Sequence, residues 1–214
     1  MSENKNSDRD KNSVKKEIQT KYDRFARWYD LAEGIPELLG LRKLRSNLLN
    51  RTSGRILEIA VGTGKNLKYY PKNSQVTAVD LSPKMLEIAR KRASRLGINV
   101  SFMVIDAENL EFPDMSFDTV VDSLSLCTFP DPIAALREMS RVCRREGRIL
   151  LLEHGRSDRE WVGRFQDRRA DAHAKQLCCQ WNRQPLDLVR QAGLKPISAS
   201  RKFLGIFHII EAMP

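Results

Sequence analysis

The sequence predicts an α/β fold: a seven-stranded, mostly parallel sheet with helices on both faces and an N-terminal helical cap. Three observations carry that prediction. From Gly54 onward, short apolar runs alternate with amphipathic stretches, the βαβα order that builds a parallel sheet. A loop of small residues, Gly62-Thr63-Gly64, follows the first of those runs. Two strand-like runs stand in tandem at the carboxyl end, which makes at least one of them antiparallel. A chain of 214 residues, 41% of them hydrophobic, suits one domain with a sizeable core.

Residues 1–13 carry no apolar residue after Met1 and are expected to form a disordered tail. Residues 14–53 read as the helical cap. Ile18, Tyr22, Phe25 and Tyr29 recur at the spacing of one helix face, and Pro36 suits the first turn of a second helix striped by Leu38, Leu41, Leu44 and Leu48. Residues 54–214 are expected to hold the sheet. Strands are expected over Arg55–Ala60, Gln75–Asp80, Val100–Asp106, Phe117–Leu124 and Gly147–His154. The Gly62–Gly64 loop is expected to open into a helix. Further helices fall over Ser82–Leu96, with Gly97 at the position after its end, and over Asp131–Val142. Ser157–Gln176 reads as a charged helix, and Asn182 as the cap of a helix that carries Leu186, Val189 and Ala192 and stops at Gly193. The final strands are about Pro196–Phe203 and Ile206–Ala212, joined by a turn at Gly205.

Composition excludes several classes. The longest apolar run, Ile149–Leu152, is far short of the ~20 residues of a membrane span. The amino terminus lacks the apolar stretch of a secretory signal and the Arg-rich, acid-poor make-up of a transit peptide. Cys127, Cys143, Cys178 and Cys179 show neither metal spacing nor disulfide-scaffold density, so no metal site is expected. The expectation is a reduced, cytoplasmic, basic protein of formal net charge +10 and pI near 9.7. Lys15–Arg55 holds ten Lys/Arg against five Asp/Glu, and Lys84–Arg95 five against one. Such charge suits solvated helix faces or peripheral contact with an anionic membrane, where each cation contributes ~1 kcal/mol. No nucleic-acid recognition motif is present, so no nucleic acid is expected as partner.

In open α/β sheets ligands bind beyond the carboxyl ends of the strands, so the strand ends carry the chemistry. Leu67 stands where a dinucleotide fingerprint needs its third glycine, and no Walker lysine pattern exists. Asp80, 22 residues after Glu58, can accept from both hydroxyls of a ribose. At Asp106-Ala107, a carboxylate can accept from an adenine amino group while the next N–H donates to the ring. Each Asp alone suits a helix or turn cap; together the strand ends fit one adenosine-bearing ligand without phosphates.

Glu58-Ile-Ala-Val-Gly-Thr-Gly, Asp80 and Asp106-Ala107, in this order, resemble the class I S-adenosylmethionine-dependent methyltransferases. Asp114-Met-Ser-Phe-Asp-Thr-Val-Val, Leu136-Arg-Glu-Met-Ser-Arg-Val-Cys-Arg-Arg-Glu-Gly and the opening Tyr22-Asp-Arg-Phe-Ala-Arg-Trp-Tyr-Asp30 resemble the ubiquinone/menaquinone-type subgroup. The similarity covers about residues 20–212. It departs at Ala60, where glycine is common, and at Arg145-Glu146-Gly147, where Pro-Gly-Gly is common. The resemblance implies a Rossmann-like sheet and S-adenosylmethionine as cofactor. It places Glu58, Ala60, Gly62 and Gly64 at the methionine end, Asp80 on the ribose, Leu81 and Met85 along the adenine, and Asp106 with Ala107 on its edge. It puts Ser123 and Leu124 near the sulfonium, and Tyr22 and Tyr29 in a helical lid over the cofactor.

A protonated acceptor must lose a proton, and His154, ending the fifth strand after Glu153, is the expected base because imidazole titrates near neutrality. Tyr22 is taken as the second catalytic residue. Asp122 is an alternative base; His208 alternates with apolar strand residues and is expected to be structural. The tail, Glu153-His-Gly-Arg-Ser157 and Cys178-Cys-Gln-Trp-Asn-Arg183, resembles a phosphatidylethanolamine N-methyltransferase-like branch. That implies the amine headgroup of a phospholipid as acceptor, with Arg183 able either to pair with its phosphate or to sit as a surface residue. A quinone, thiol or other small-molecule acceptor is the alternative, and a non-catalytic cofactor-binding assembly factor a third. Cys178-Cys179 is expected to be packing.

Overall fold

A computed structural model of the chain describes residues 12–26 and 40–214. The expectations for Tyr29, Pro36, Leu38 and the tail up to residue 11 lie outside the described residues.

Residues 12–26 form the first helix, α1. Then come α2 (Arg42–Leu49), β1 (Arg55–Ile59), β2 (Gln75–Asp80), α3 (Pro83–Leu96), β3 (Val100–Val104), β4 (Phe117–Ser123), α4 (Pro132–Val142), β5 (Cys143–His154), α5 (Glu160–Leu177), α6 (Pro185–Gln191), β6 (Lys195–Lys202) and β7 (Phe207–Met213). The seven strands form one sheet in the order β3-β2-β1-β4-β5-β7-β6. Strands β1 to β5 pair in parallel, and β7 runs antiparallel to β5 and to β6. The chain order reverses between β1 and β4, and this opens a crevice beyond their carboxyl ends.

The period of two along each strand makes two cores. Leu57, Ile59, Val120, Ile149 and Leu151 face α4 and α6, while Ile56, Val76, Val121, Leu150 and Leu152 face α2 and α3. Local signals set the helix ends nearest the crevice. Ser82 accepts from the Met85 N–H and Asp131 from the Ala134 N–H, each followed by Pro at the first helical position. Gly97 closes α3 in a left-handed conformation, φ 65°.

Two expected features differ. The loop after β1 opens into turns and a single 3₁₀ turn, Leu67–Tyr69, rather than a full helix. Pro71 holds Tyr70 extended, and the side chains of Asn66 and Tyr70 turn inward to bond Glu58. Asn182 caps no helix: its amide donates to Asp167 at 3.1 Å, and α6 begins after Gln184 without a side-chain cap.

Candidate active site

The chain leaves β1 through three left-handed residues, Ala60, Gly62 and Gly64. The two glycines have different reasons to be glycine. A Cβ on Gly64 would lie 2.7 Å from Leu67 Cδ1 and 3.2 Å from Ala89 Cβ, so its absence lets the loop pack on α3. A Cβ on Gly62 would meet nothing nearer than the Ala60 carbonyl at 4.0 Å, because Gly62 floors a cavity. Glu58 lies beneath this loop and is 2% exposed. Its carboxylate accepts from Asn66 Nδ2 at 2.8 Å and Tyr70 Oη at 2.9 Å, while Arg45 holds the Asn66 oxygen at 2.9 Å. Burial pushes Glu58 up to about 7. Glu58 thus shapes the loop from below, and Gly64 tightens it from behind.

Asp80 ends β2 in the cavity wall. Its Oδ2 accepts from the Gly62 N–H and its Oδ1 from the Ser82 N–H, both at 2.8 Å. Burial pushes it up to about 6, and those two donors offset the rise only in part. Leu81 and Met85 continue the wall past Asp80, and Asp106 and Ala107 face it from beyond β3. Asp106 Oδ1 accepts from the Glu108 N–H at 2.9 Å. Ser123 and Leu124, at the end of β4, complete the side toward Ala60.

Helix α1 lies across this cavity with Lys15, Ile18 and Tyr22 in its wall. Lys15 Nζ bridges Asp106 at 2.6 Å and Glu108 at 2.7 Å. Asp23 accepts from the Ser82 hydroxyl at 2.5 Å and the Lys84 N–H at 3.3 Å. Desolvation in the wall holds the Tyr22 phenol well above its usual range. With α1 seated, the enclosed space is about 100 Å³.

A second cavity of about 450 Å³ adjoins the first and shares Tyr22 and Leu124 with it. Phe25 and Leu177 line it, together with Cys127, His154, His173 and Cys179. His154 Nε2 stands 3.4 Å from Cys179 Sγ. Cys179 is the more acidic thiol of its pair, because it accepts from Cys127 and faces His154 and His173. His173 stacks on Trp181 with ring centres 4.3 Å apart, and its Nδ1 contacts the Cys179 carbonyl at 2.8 Å. Asp122, the alternative base, lies fully buried behind this cavity beside Glu153. Burial raises both carboxyls, Glu153 the more. His208 is buried, and burial holds it down at about 4. Arg183 donates to the main-chain carbonyls of Leu126 and Phe129, so its guanidinium braces the loop after β4 rather than facing outward.

Of the residues singled out in the sequence, the first cavity brings together Tyr22, Ala60, Gly62, Asp80, Leu81, Met85, Asp106, Ala107, Ser123 and Leu124. Glu58 and Gly64 stand behind that wall, and His154 lines the second cavity. Sequence reasoning passed over Lys15, Asp23 and Ser82, which bind α1 to the strand ends, and the pairing of Cys127 with Cys179. Only the Ser-Pro dipeptide after Asp80, a helix-start signal, marked any of them.

Residues 57–151 match the family model described as a methyltransferase domain. The phosphatidylethanolamine N-methyltransferase of Cereibacter sphaeroides is 34% identical over 139 residues, covering 63% of this chain and 68% of that one. The chain belongs to the class I S-adenosylmethionine-dependent methyltransferases. Methyltransferase OMS1, mitochondrial, of Saccharomyces cerevisiae is 30% identical over 211 residues, which cover 89% of this methyltransferase and 45% of the yeast protein. A solved S-adenosylmethionine-dependent methyltransferase of Thermotoga maritima superposes with a TM-score of 0.68 at 25% identity, covering 92% of this chain and 99% of the other. The cofactor of this family is S-adenosylmethionine, and the site fits it: Gly62 leaves an open floor, and Asp80 offers a carboxylate aimed at the same space.

Proposed function

We propose that this methyltransferase transfers a methyl group to the amine headgroup of a phosphatidylethanolamine-type lipid at a membrane surface. The observation that carries this is the pair of adjoining cavities that meet at Tyr22 and Leu124. One is lined with the residues suited to adenosine; the other has apolar walls, a polar Cys/His end, and Lys21 and Arg24 in its lining. An amphipathic acceptor with an anionic phosphate next to its amine matches that distribution, and one relative is named a phosphatidylethanolamine N-methyltransferase.

Bound S-adenosylmethionine supplies an electrophilic methyl on a sulfonium, and the rest falls to positioning and water exclusion. Asp80 would accept from the ribose hydroxyls and Asp106 from the adenine amine, with the Ala107 N–H donating and Leu81 and Met85 packing the ring. Ala60, Gly62, Ser123 and Leu124 would seat the methionine end. Helix α1, held by Lys15 and Asp23, acts as the lid, and Tyr22 closes the passage between the cavities. An ammonium acceptor must shed a proton, and in the metal-free protein His154 Nε2, beside Cys179, is the group placed to take it.

Among the described residues no helix is long and apolar enough to cross a membrane. An interfacial surface is available on α5. Trp161 and Phe165, one turn apart, are 71% and 50% exposed, with Arg164 and Arg168 exposed among them. The turn that carries exposed Phe203 and Leu204 is tied to Ser157, just ahead of α5.

The test is transfer of labelled methyl from S-adenosylmethionine to anionic liposomes with and without phosphatidylethanolamine. Label in that lipid alone is expected. Intact cofactor binding with no labelled lipid, and label instead in a quinone or thiol, would overturn the acceptor assignment.

A further inference from the structure

Cys127, His154 and Cys179 reach one point from three separate places: the loop after β4, the last residue of β5 and the segment after α5. Their donor atoms all lie within 4.8 Å of one another. We propose that these three side chains hold a single soft divalent cation of the zinc class, with a fourth position open to the second cavity.

The distances suit such an ion. Tetrahedral zinc takes sulfur at ~2.3 Å and nitrogen at ~2.0–2.1 Å, which separates two sulfur ligands by about 3.8 Å and sulfur from nitrogen by about 3.6 Å. Cys179 Sγ and His154 Nε2 stand at 3.4 Å without any ion, so closing on a metal requires shifts of a few tenths of an ångström for that pair. The donor set is selective. Two thiolates and an imidazole favour zinc over magnesium or calcium, and no carboxylate belongs to the group. Charge also balances, since two thiolates neutralise a divalent ion and leave no net charge in a largely buried place.

The surroundings hold the ligands in position. The His173 ring, stacked on Trp181, contacts the Cys179 carbonyl. Arg183 grips the carbonyls on either side of Cys127, at Leu126 and Phe129. Cys127 and Cys179 are 3% and 9% exposed, and all three ligand residues line the second cavity, so an open position faces it. Three protein ligands and one free position make the reactive type of zinc site rather than the closed structural type. His154 Nε2 can hold an ion or take a proton, not both. A bound ion would supply Lewis acidity at the open position, and His154 would serve there as a ligand and not as the base. Metal binding itself does not depend on the acceptor being a lipid. Spacing motifs miss such a set because its members lie 25 or more residues apart.

Cobalt(II) titration of the full chain, stripped with chelator and kept reduced, tests the site. The expected result is one cobalt per chain with a thiolate-to-metal charge-transfer band and tetrahedral d–d bands, both displaced by zinc. Cys127→Ser and Cys179→Ser should each weaken binding by about tenfold or more, while Cys178→Ser, which alters the neighbouring thiol, should leave it unchanged. Cofactor binding by each variant reports its fold, and the wild-type spectrum decides the matter even if a variant does not fold. Absence of the charge-transfer band, a complex that survives both serine variants, or a Cys127–Cys179 disulfide in the protein as isolated from cells would overturn the proposal.

Discussion

Acidification from about pH 7.5 to about pH 5 is expected to weaken S-adenosylmethionine binding roughly tenfold through Asp80. The carboxyl accepts from the Gly62 and Ser82 N–H groups, faces Asp23 of α1, and is pushed up to about 6 chiefly by burial. Ribose hydroxyls donate to the ionised form. If that form alone binds, the dissociation constant scales as 1 + 10^(6 − pH): about 11-fold higher at pH 5 and nearly unchanged at pH 7.5. The same group acts on stability with a definite sign. Its folded value lies above its unfolded one, so its contribution is fully present below about pH 4 and is lost as pH rises through about 6. Cofactor binding opposes that loss, so the rise in Tm on adding cofactor should be larger at pH 7.5 than at pH 5. Calorimetric titration across this range measures the slope, with Asp80→Asn as control: it should bind weakly and without the acid limb. A flat wild-type affinity from pH 5 to 7.5, or an acid limb that persists in Asp80→Asn, would refute the ribose role.

Gly64→Ala should cost about 2–4 kcal/mol of stability, from overlap with Leu67 and Ala89 added to left-handed strain, as read by denaturant melts. Gly62→Ala should cost only about 1 kcal/mol, yet its methyl enters the cavity floor and should weaken cofactor binding; equal stability losses in the two variants would contradict this. Lys15→Ala removes partly exposed ion pairs worth about 0.5–1 kcal/mol, so stopped-flow dissociation of the cofactor should quicken about two- to fivefold. Asp122→Asn removes a buried carboxyl that burial raises to about 7 and puts an uncharged amide in its place. Because wild-type stability falls as pH rises through that value, the variant's relative stability should grow between about pH 5 and pH 8, and a constant difference would count against a raised Asp122 carboxyl.

The cavity beyond the strand ends was legible because backbone topology fixes it. Asp80 and Asp106 follow strands whose apolar runs announce them, and in a parallel sheet all such ends lie on one side. The same logic put Glu58 at the methionine end, and the structure sets it beneath that loop. A residue inside β1 alternates faces with its neighbours, and Glu58 shares the Ile56 face, where Arg45, Asn66 and Tyr70 enclose it. Helix ends marked by Ser-Pro, Asp-Pro and a following glycine were readable to within a residue. The missing helix after Gly64 was not, because the inward turn of Asn66 and Tyr70 is a tertiary event.

The acceptor half obeys a different rule. In the proposed reading its chemistry rests on Cys127 in a loop, His154 at a strand end and Cys179 past α5, which only the tertiary fold brings together. No local pattern encodes that, and an adjacent Cys178-Cys179 looks like packing until Cys179 alone turns toward His154 while Cys178 ends α5 in a left-handed conformation. The division has a consequence. Among the described residues the two cavities share only Tyr22 and Leu124, so under the proposed roles changes to Phe25, Leu177 or the Cys/His cluster would alter what is methylated and leave the Asp80 and Asp106 side intact. A scaffold so divided can retain one cofactor while its acceptors diversify.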